Sequence, residues 1–507
     1  MFCDFVTTPQ REEITFTFVK VMVIYMKPIS SWNFTPYTPL DRPERAQNPY
    51  ICRIAPGLTT LDFDFIDNGA PSKATHTLYY RVRSSRPTAD HTAVQQTNAE
   101  PEWMKCEMEQ ADRGQLCSLK PHTDYEFFVE RDCDGARSET RLVYTSVVPG
   151  RVVNYLHPDD PAYAFSGQYL CSPCLCRLPS GRLLSSMDVF RGGAPQNLTI
   201  LFYSDDNGDS WHYLTELFPC FWGQLFVRGN RLYMLAVSSE YGDLLIGASD
   251  NEGRDWTLPT VLFRGAASPH ERGLHRAPMR LWEANGRLWT DVEYGAWEKH
   301  EMNNAVLSAP DDAADYTDPA VWSMTEFWRY ADFAAKAEPE QLVPGCVGGI
   351  EGTVISAPDG TLYDFLRYTQ KKCLLLKINS TPMQPEGVLS YAGLVTLDIT
   401  PSKFDIVWDD VSEQYYMLAS HALEEPKTNR NLLALFRSAD LMTWEFVADI
   451  LDAKALNPAV VGFQYVSFLI DGDDILFLSR TAYGKPANFH DSNYQTFHRI
   501  QNFRNLT

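Results

Sequence analysis

Glu351 and Arg367 bound a segment, Glu351-Gly-Thr-Val-Ile-Ser-Ala-Pro-Asp-Gly-Thr-Leu-Tyr-Asp-Phe-Leu-Arg367, that reads as strand, turn and strand. A carboxylate and a guanidinium therefore fall on neighbouring strands, either as a bracing ion pair or as working groups. Gly273-Leu-His-Arg-Ala-Pro278 reads as an exposed loop feeding a strand. Its His275 is the residue type that exchanges a proton near neutral pH, and Arg276 beside it can bind a carboxylate. Glu293, two residues after Asp291, is a second acid. Ser479-Arg-Thr-Ala-Tyr483 places a further guanidinium, Arg480, on a strand. Cys171, Cys174 and Cys176 have the look of half a metal site, but no second pair stands at matching spacing. A buried thiol-rich strand is expected there, and no metal. The chain has no Gly-rich phosphate loop, Ser nucleophile elbow or His-Glu-x-x-His motif, so no cofactor is expected.

These groups need elements to hold them. The chain has 507 residues, and Lys+Arg 44 against Asp+Glu 65 gives a net charge of −21 with a pI near 4.9. That length predicts two or three domains. A hydrophobic fraction of 44% with 13% aromatic residues predicts an ordered chain weighted toward strands. The acidic balance, without a Lys/Arg cluster, argues against nucleic acid as a partner. The apolar stretch Phe18 to Met26 is interrupted by Lys20 and falls well short of the ~20 residues of a spanning helix. It also lacks the flanks of a signal peptide. Eleven cysteines without a paired framework fit free thiols. The expectation is a cytoplasmic protein with no membrane partner, or a secreted one if the true start lies upstream.

Three regions are expected. Residues 1–50 read as an irregular extension with one strand. Residues 51–148 alternate with period two, as in His76-Thr-Leu-Tyr-Tyr-Arg-Val-Arg83 and Tyr125-Glu-Phe-Phe-Val-Glu130. Leu119-Lys-Pro-His-Thr-Asp-Tyr125 resembles the corner segment of fibronectin type III domains, which implies a β-sandwich over 51–148. Residues 151–507 carry a recurring phrase. Leu178-Pro-Ser-Gly-Arg-Leu-Leu184, Val227-Arg-Gly-Asn-Arg-Leu-Tyr233, Glu283-Ala-Asn-Gly-Arg-Leu-Trp289 and Ala357-Pro-Asp-Gly-Thr-Leu-Tyr363 each join a turn to an apolar run. Looser copies occur at Trp408 to Tyr416 and at Ile470 to Leu478. Starts roughly 50–75 residues apart point to an all-β propeller of six blades. The long interval after the third copy leaves room for a seventh.

Ser204-Asp-Asp-Asn-Gly-Asp-Ser-Trp211 fits the Asp box, Ser-x-Asp-x-Gly-x-x-Trp, and Ser249-Asp-Asn-Glu-Gly-Arg-Asp-Trp256 fits with Asn251 in the Asp place. Ser438-Ala-Asp-Leu-Met-Thr-Trp444 is a shorter copy without the Gly. On these boxes the chain resembles the sialidase superfamily. The resemblance implies a propeller with the boxes at peripheral turns, a Tyr nucleophile activated by a Glu, an acid, and Arg groups clamping a substrate carboxylate. It places Glu351 and Arg367 in the Glu…Arg segment, Arg430 before the last box, and Tyr465 of Gly462-Phe-Gln-Tyr465 in the nucleophile segment. Two parts depart from the pattern. Cys171 of Leu170-Cys-Ser-Pro173 takes the first Arg position, and Phe218-Pro-Cys-Phe-Trp-Gly-Gln224 has no acid.

His275 or Glu293 is therefore expected to supply the proton, Arg276 and Arg480 to complete the clamp, and Trp222 to stack on a sugar. The implied function is an exo-acting glycoside hydrolase on an acidic oligosaccharide bearing sialic or uronic acid. The alternatives are a lyase acting at a uronic acid, in which Arg groups acidify the C5 proton, and a non-catalytic glycan-binding propeller.

Overall fold

Period-two runs become strands wherever the apolar half can be buried against a second sheet. The computed structural model describes residues 32–34, 47–71, 73–84, 101–268, 270–342, 346–423 and 429–506. Most of the expected extension over 1–50, with the stretch Phe18 to Met26, lies outside the described residues. Within it, Asn33–Phe34 pairs with His212–Leu217, and Trp32 is buried against Trp256 with its indole N–H donating to Pro219 O at 2.9 Å.

The first described region is two antiparallel sheets. Tyr50–Pro56, Leu61–Ile66 and Arg113–Leu116 form one. Met104–Glu107, His76–Val82, Asp124–Arg131 and Arg141–Tyr144 form the other. Their inner faces meet through Ile54, Phe63, Leu78, Phe127, Val129 and Val143. The Tyr125 hydroxyl accepts the Lys120 N–H at 2.9 Å, which ties the corner segment to its own strand.

From residue 151 onward the described residues make six antiparallel sheets. The first holds Tyr169–Arg177, Leu183–Phe190, Leu198–Ser204 and His212–Leu217. The second holds Phe221–Arg228, Arg231–Val237, Leu244–Ser249 and Thr260–Phe263. Gly273–His275, Arg287–Ala296, Glu301–Pro310 and Ser323–Met324 make the third, with Trp282–Ala284 beside them. The fourth is Ile350–Ser356, Leu362–Thr369, Lys372–Thr381 and Gln384–Thr396. The fifth is Asp405–Asp409, Gln414–Ser420, Leu432–Ser438 and Glu445–Asp452. Gly462–Asp471, Asp474–Ala482 and Tyr494–Ile500 form the sixth, which Arg151–Tyr155 completes from the other end of the region. Tyr169–Arg177 packs on both Phe221–Arg228 and Gly462–Asp471, so first and last sheets meet. This ring of sheets is a propeller architecture. Between Pro310 and Ile350 the described residues hold one two-residue strand and short helical turns, the longest being Tyr330–Ala334.

The three box segments are turns between third and fourth strands. Ser204 Oγ accepts the Gly208 N–H at 2.8 Å and Asp206 Oδ1 accepts Ser210 N at 2.9 Å. Ser249 and Asn251 repeat that pattern toward Gly253 and Asp255, each at 2.9 Å. In the shortened copy Leu441 occupies the left-handed conformation, φ 68°, that Gly208 and Gly253 hold elsewhere. Trp211 and Trp256 fill separate cores between sheets.

The strands that open four of the sheets share one irregularity. Register shifts by one residue between Leu170 and Pro173, Phe221 and Gln224, Ile350 and Thr353, and Gln464 and Ser467. Each shift is a β-bulge, with two residues facing one. The first bulged residues are Cys171, Trp222, Glu351 and Tyr465, and the last three have φ of 51°, 54° and 53°. Arg367 and Arg480 hold matching places on the adjoining strands, paired with Ile350 and Gln464.

Because Trp256 packs a core remote from these bulges, Trp256→Ala should lower stability by about 3–5 kcal/mol while leaving ligand affinity at the bulged residues unchanged below the transition. Thermal melting with a binding titration on the same samples checks both; a weakened affinity with unaltered melting would place Trp256 in the site.

Candidate active site

Bulges re-aim side chains, and here Cys171, Trp222, Glu351 and Tyr465 are drawn into one cluster. Arg367 donates to Glu351 Oε2 at 2.6 Å and to the Tyr465 hydroxyl at 3.2 Å, bridging the fourth and sixth sheets. The Arg430 guanidinium lies 5.6 Å and that of Arg480 4.8 Å from the Tyr465 ring. Arg430 donates to Gln464 Oε1 and, at 2.9 Å, to Pro401 O. Arg480 donates to His490 O at 3.1 Å and reaches Cys171 Sγ at 3.6 Å. Among the described residues neither Arg430 nor Arg480 has a carboxylate partner. Trp222 packs edge-on against the His275 ring at 4.4 Å, and the charges of Glu351 and Arg367 act on that imidazole.

His275 differs from the exposed loop residue expected. It ends the strand Gly273–His275, pairs with Glu293, and is 1% exposed beneath Trp222 and Tyr241. The reason is tertiary: Leu274 and His275 continue the sheet, and Trp222 and Tyr241, distant in the chain, close over them. His275 Nδ1 lies 2.9 Å from Glu293 Oε2. Arg276 turns the other way. It is fully buried, its guanidinium donating to Leu235 O at 3.2 Å, with its pKa brought down to about 10 by burial. It sits away from Tyr465, beside Asp291 and Glu293.

Burial sets the protonation pattern. It pushes Glu293 up to about 8, helped by the charges of Glu351 and Asp364, and pushes His275 down to about 4. At neutral pH this is a neutral pair, joined by one hydrogen bond. Burial also acts on Glu351, but the charge and hydrogen bond of Arg367 bring it below the usual carboxylate value. Two carboxyls of one site are thus driven apart, one acid and one anion. Arg430 is lowered to about 10 by burial.

Several contributors carry no motif. Glu351 N donates to Glu293 Oε1, and Gly352 N to Asp291 Oδ2 at 2.8 Å. Asp188, raised to about 7 by burial, lies against the Trp222 and Gly223 amides. Lys403 donates to Val466 O at 2.7 Å and its charge acts on Glu351. Only the alternation of acidic residues along Arg287–Ala296 hinted at Asp291. A cleft of about 740 Å³, lined by Arg53, Arg113, Trp211 and His212, lies apart between the sandwich and the first sheet. Among the described residues no cluster of His, Cys, Asp and Glu could hold a metal ion, and no helix is long and apolar enough to cross a membrane.

No protein-family model and no curated protein sequence matches the chain. Solved structures do. A Hadza microbial sialidase is 12% identical over 91% of this chain and 95% of its own, with a TM-score of 0.49. A Penicillium chrysogenum alpha-L-arabinanase is 12% identical over 71% and 99%, with a TM-score of 0.46. A leech intramolecular trans-sialidase is 10% identical over 90% and 92%, also at 0.46.

The buried acids predict how stability varies with pH. Asp188, Glu216 and Glu293 keep their protons in the folded chain up to about 7, 7 and 8, whereas the unfolded chain releases them near pH 4. The unfolded state binds fewer protons, so stability is full below the unfolded values and is lost as pH rises through the folded ones. His275, His490 and His498, lowered to about 4, 4 and 3, act with the opposite sign, but only below the unfolded value near 6.5. The melting temperature should therefore fall from about pH 6.5 to about pH 8, and these groups should add no slope above that. A flat or rising profile there would mean that these carboxyls are already ionised when folded.

Proposed function

We propose that the chain is a carbohydrate-active enzyme, an exo-acting glycoside hydrolase on a glycan bearing a sialic or uronic acid carboxylate. Burying a cation without an anion is costly, and Arg430 and Arg480 are both buried beside Tyr465 with no carboxylate partner among the described residues. That observation carries the reading: an anionic substrate group supplies the missing charge. Arg480, which reaches Cys171, stands in for the clamp Arg that Cys171 replaces, and Arg276 takes no part.

In this mechanism Tyr465 attacks the anomeric carbon. Arg367 holds the phenol oxygen, and Glu351, kept anionic, takes the phenolic proton. The neutral Glu293–His275 pair protonates the leaving oxygen, and Trp222 offers a face to the sugar. We read the six sheets as six blades. Residues 51–148 are read as a fibronectin type III-like sandwich, which the three-plus-four strand arrangement and the Tyr125 corner bond support. One observation favours a lyase as second reading. His275 is uncharged at neutral pH, the state required of a base that removes a C5 proton.

Sialyl- and uronyl-oligosaccharides test these readings together. Hydrolysis releases reducing ends alone, lysis adds an ultraviolet-absorbing conjugated double bond, and a binding module gives neither. Glu293→Gln should lower kcat by about 10²–10⁴-fold on natural linkages and much less on an aryl glycoside, whose leaving group needs no proton. Arg480→Ala should raise KM with kcat little changed, because a clamp that acts in ground and transition states alike is lost from both. Absence of cleavage of either substrate class by well-folded wild type overturns the enzyme reading.

A further inference from the structure

Beneath Glu351 the third and fourth sheets meet through three carboxyl groups. Glu293 and Asp291 are alternate residues of Arg287–Ala296, so both face the same way. Asp364 approaches Asp291 from Leu362–Thr369, and Asp291 is in hydrogen-bond range of both other carboxyls. Among the described residues Asp291 Oδ1 and both oxygens of Asp364 receive no hydrogen bond from a donor group. Carboxyls in mutual hydrogen-bond range must hold protons between them, since ionised oxygens only accept.

The same groups grip the bulge. A bulge leaves ladder amides unpaired, and buried amides need acceptors. Glu293 takes the Glu351 amide and Asp291 takes the Gly352 amide. Gly352 is required by space: a Cβ there would come within 2.1 Å of Asp364 Oδ1 and 3.0 Å of Asp291 Cγ. The acid, the bulge that turns Glu351 toward Tyr465, and the two buried aspartates are therefore one assembly. Other charges face it from every side. His275 lies on the neighbouring strand, Arg276 follows it, and Glu351 carries the influence of Arg367 and Lys403.

We propose that Asp291 and Asp364 are positioning residues, holding the proton-bearing Glu293 and the Glu351–Gly352 bulge in one fixed arrangement. This rests on the reading of Glu293 as acid and Glu351 as base, and it adds what keeps those two roles distinct. Asp364 and Glu293 titrate against each other, the charge of whichever ionises first opposing the other, so an isosteric amide at Asp364 should let Glu293 ionise at lower pH.

The experiment uses the full chain with Asp364→Asn, Asp291→Asn and Gly352→Ala. Infrared spectra during a pH titration read protonated carboxyls directly and need no substrate. Wild type should show buried protonated carboxyl bands at pH 6 that persist to about pH 8. Asp364→Asn should lose one band and shift the Glu293 transition toward neutral pH, carrying the alkaline limb of kcat/KM with it. Gly352→Ala should lower kcat at least 10-fold, because it displaces Glu351. An Asp364→Asn protein with wild-type bands and an unmoved alkaline limb overturns the proposal, as would wild type with no protonated carboxyl at pH 6. Should Asp364→Asn fail to fold, Asp291→Asn should likewise lose one buried carboxyl band, and unchanged bands there overturn the proposal. A wild type inactive on every acidic glycan would sink the proposed function, while the spectra would still decide the carboxyl assembly.

Discussion

The amide groups set free by one extra residue in an opening strand must find acceptors away from water, and the site is arranged around that requirement. A regular ladder would pair every N–H and send successive side chains to opposite faces. At Trp222, Glu351 and Tyr465 the ladder is broken instead, and each residue takes a left-handed conformation that costs about 1–3 kcal/mol. Acidic residues of the preceding sheet answer the loss. Asp188 lies against the second-sheet bulge, and Asp291 and Glu293 accept from the fourth. In the sixth sheet, Phe468 N donates to Asp405 and Val466 O accepts from Lys403. Neighbouring sheets are thus coupled through polar contacts at the places where functional side chains emerge.

Those contacts explain the electrostatics. A chain with a net charge of −21 places guanidiniums at one mouth and neutralises several of its carboxyls by burial. Among the described residues Glu351 alone of the central carboxyls makes a direct ion pair with a guanidinium, that of Arg367, and it alone is held below its ordinary value; Glu293, Asp291 and Asp364 rise. Environment therefore divides roles that residue type cannot. Under the proposed function the surplus cations take an anion from outside, in keeping with charge complementarity as a source of recognition.

The frame that carries this is tied at its ends. Arg151–Tyr155 enters the sixth sheet beside Tyr494–Ile500, so the two ends of the 151–507 region share one ladder. The sandwich is attached to that same strand: Arg53 donates to Val153 O at 2.8 Å, and Asn154 Oδ1 accepts the Ile54 amide at 3.1 Å. Arg141 and Asp160 add a buried ion pair at 2.8 Å. Trp32, from the extension, fills the core of the second sheet beside Trp256.

What was legible in the sequence was whatever a few consecutive residues decide among themselves. Strand periodicity, the Ser204, Ser249 and Ser438 turns, the corner bond of Tyr125, and the pairing of Glu351 with Arg367 across one hairpin all depend on neighbours within a strand or turn. The tertiary structure alone decided the rest. His275 and Arg276 are adjacent and looked equally available, yet one faces Trp222 and the other is buried toward Leu235. Arg480 reaches Cys171 because the sixth sheet closes against the first. The protonation of Glu293 and the grip of Asp291 on Gly352 arise from desolvation and from carboxyls on separate sheets. Burial is a sum over residues distant in the chain, so no local pattern records it.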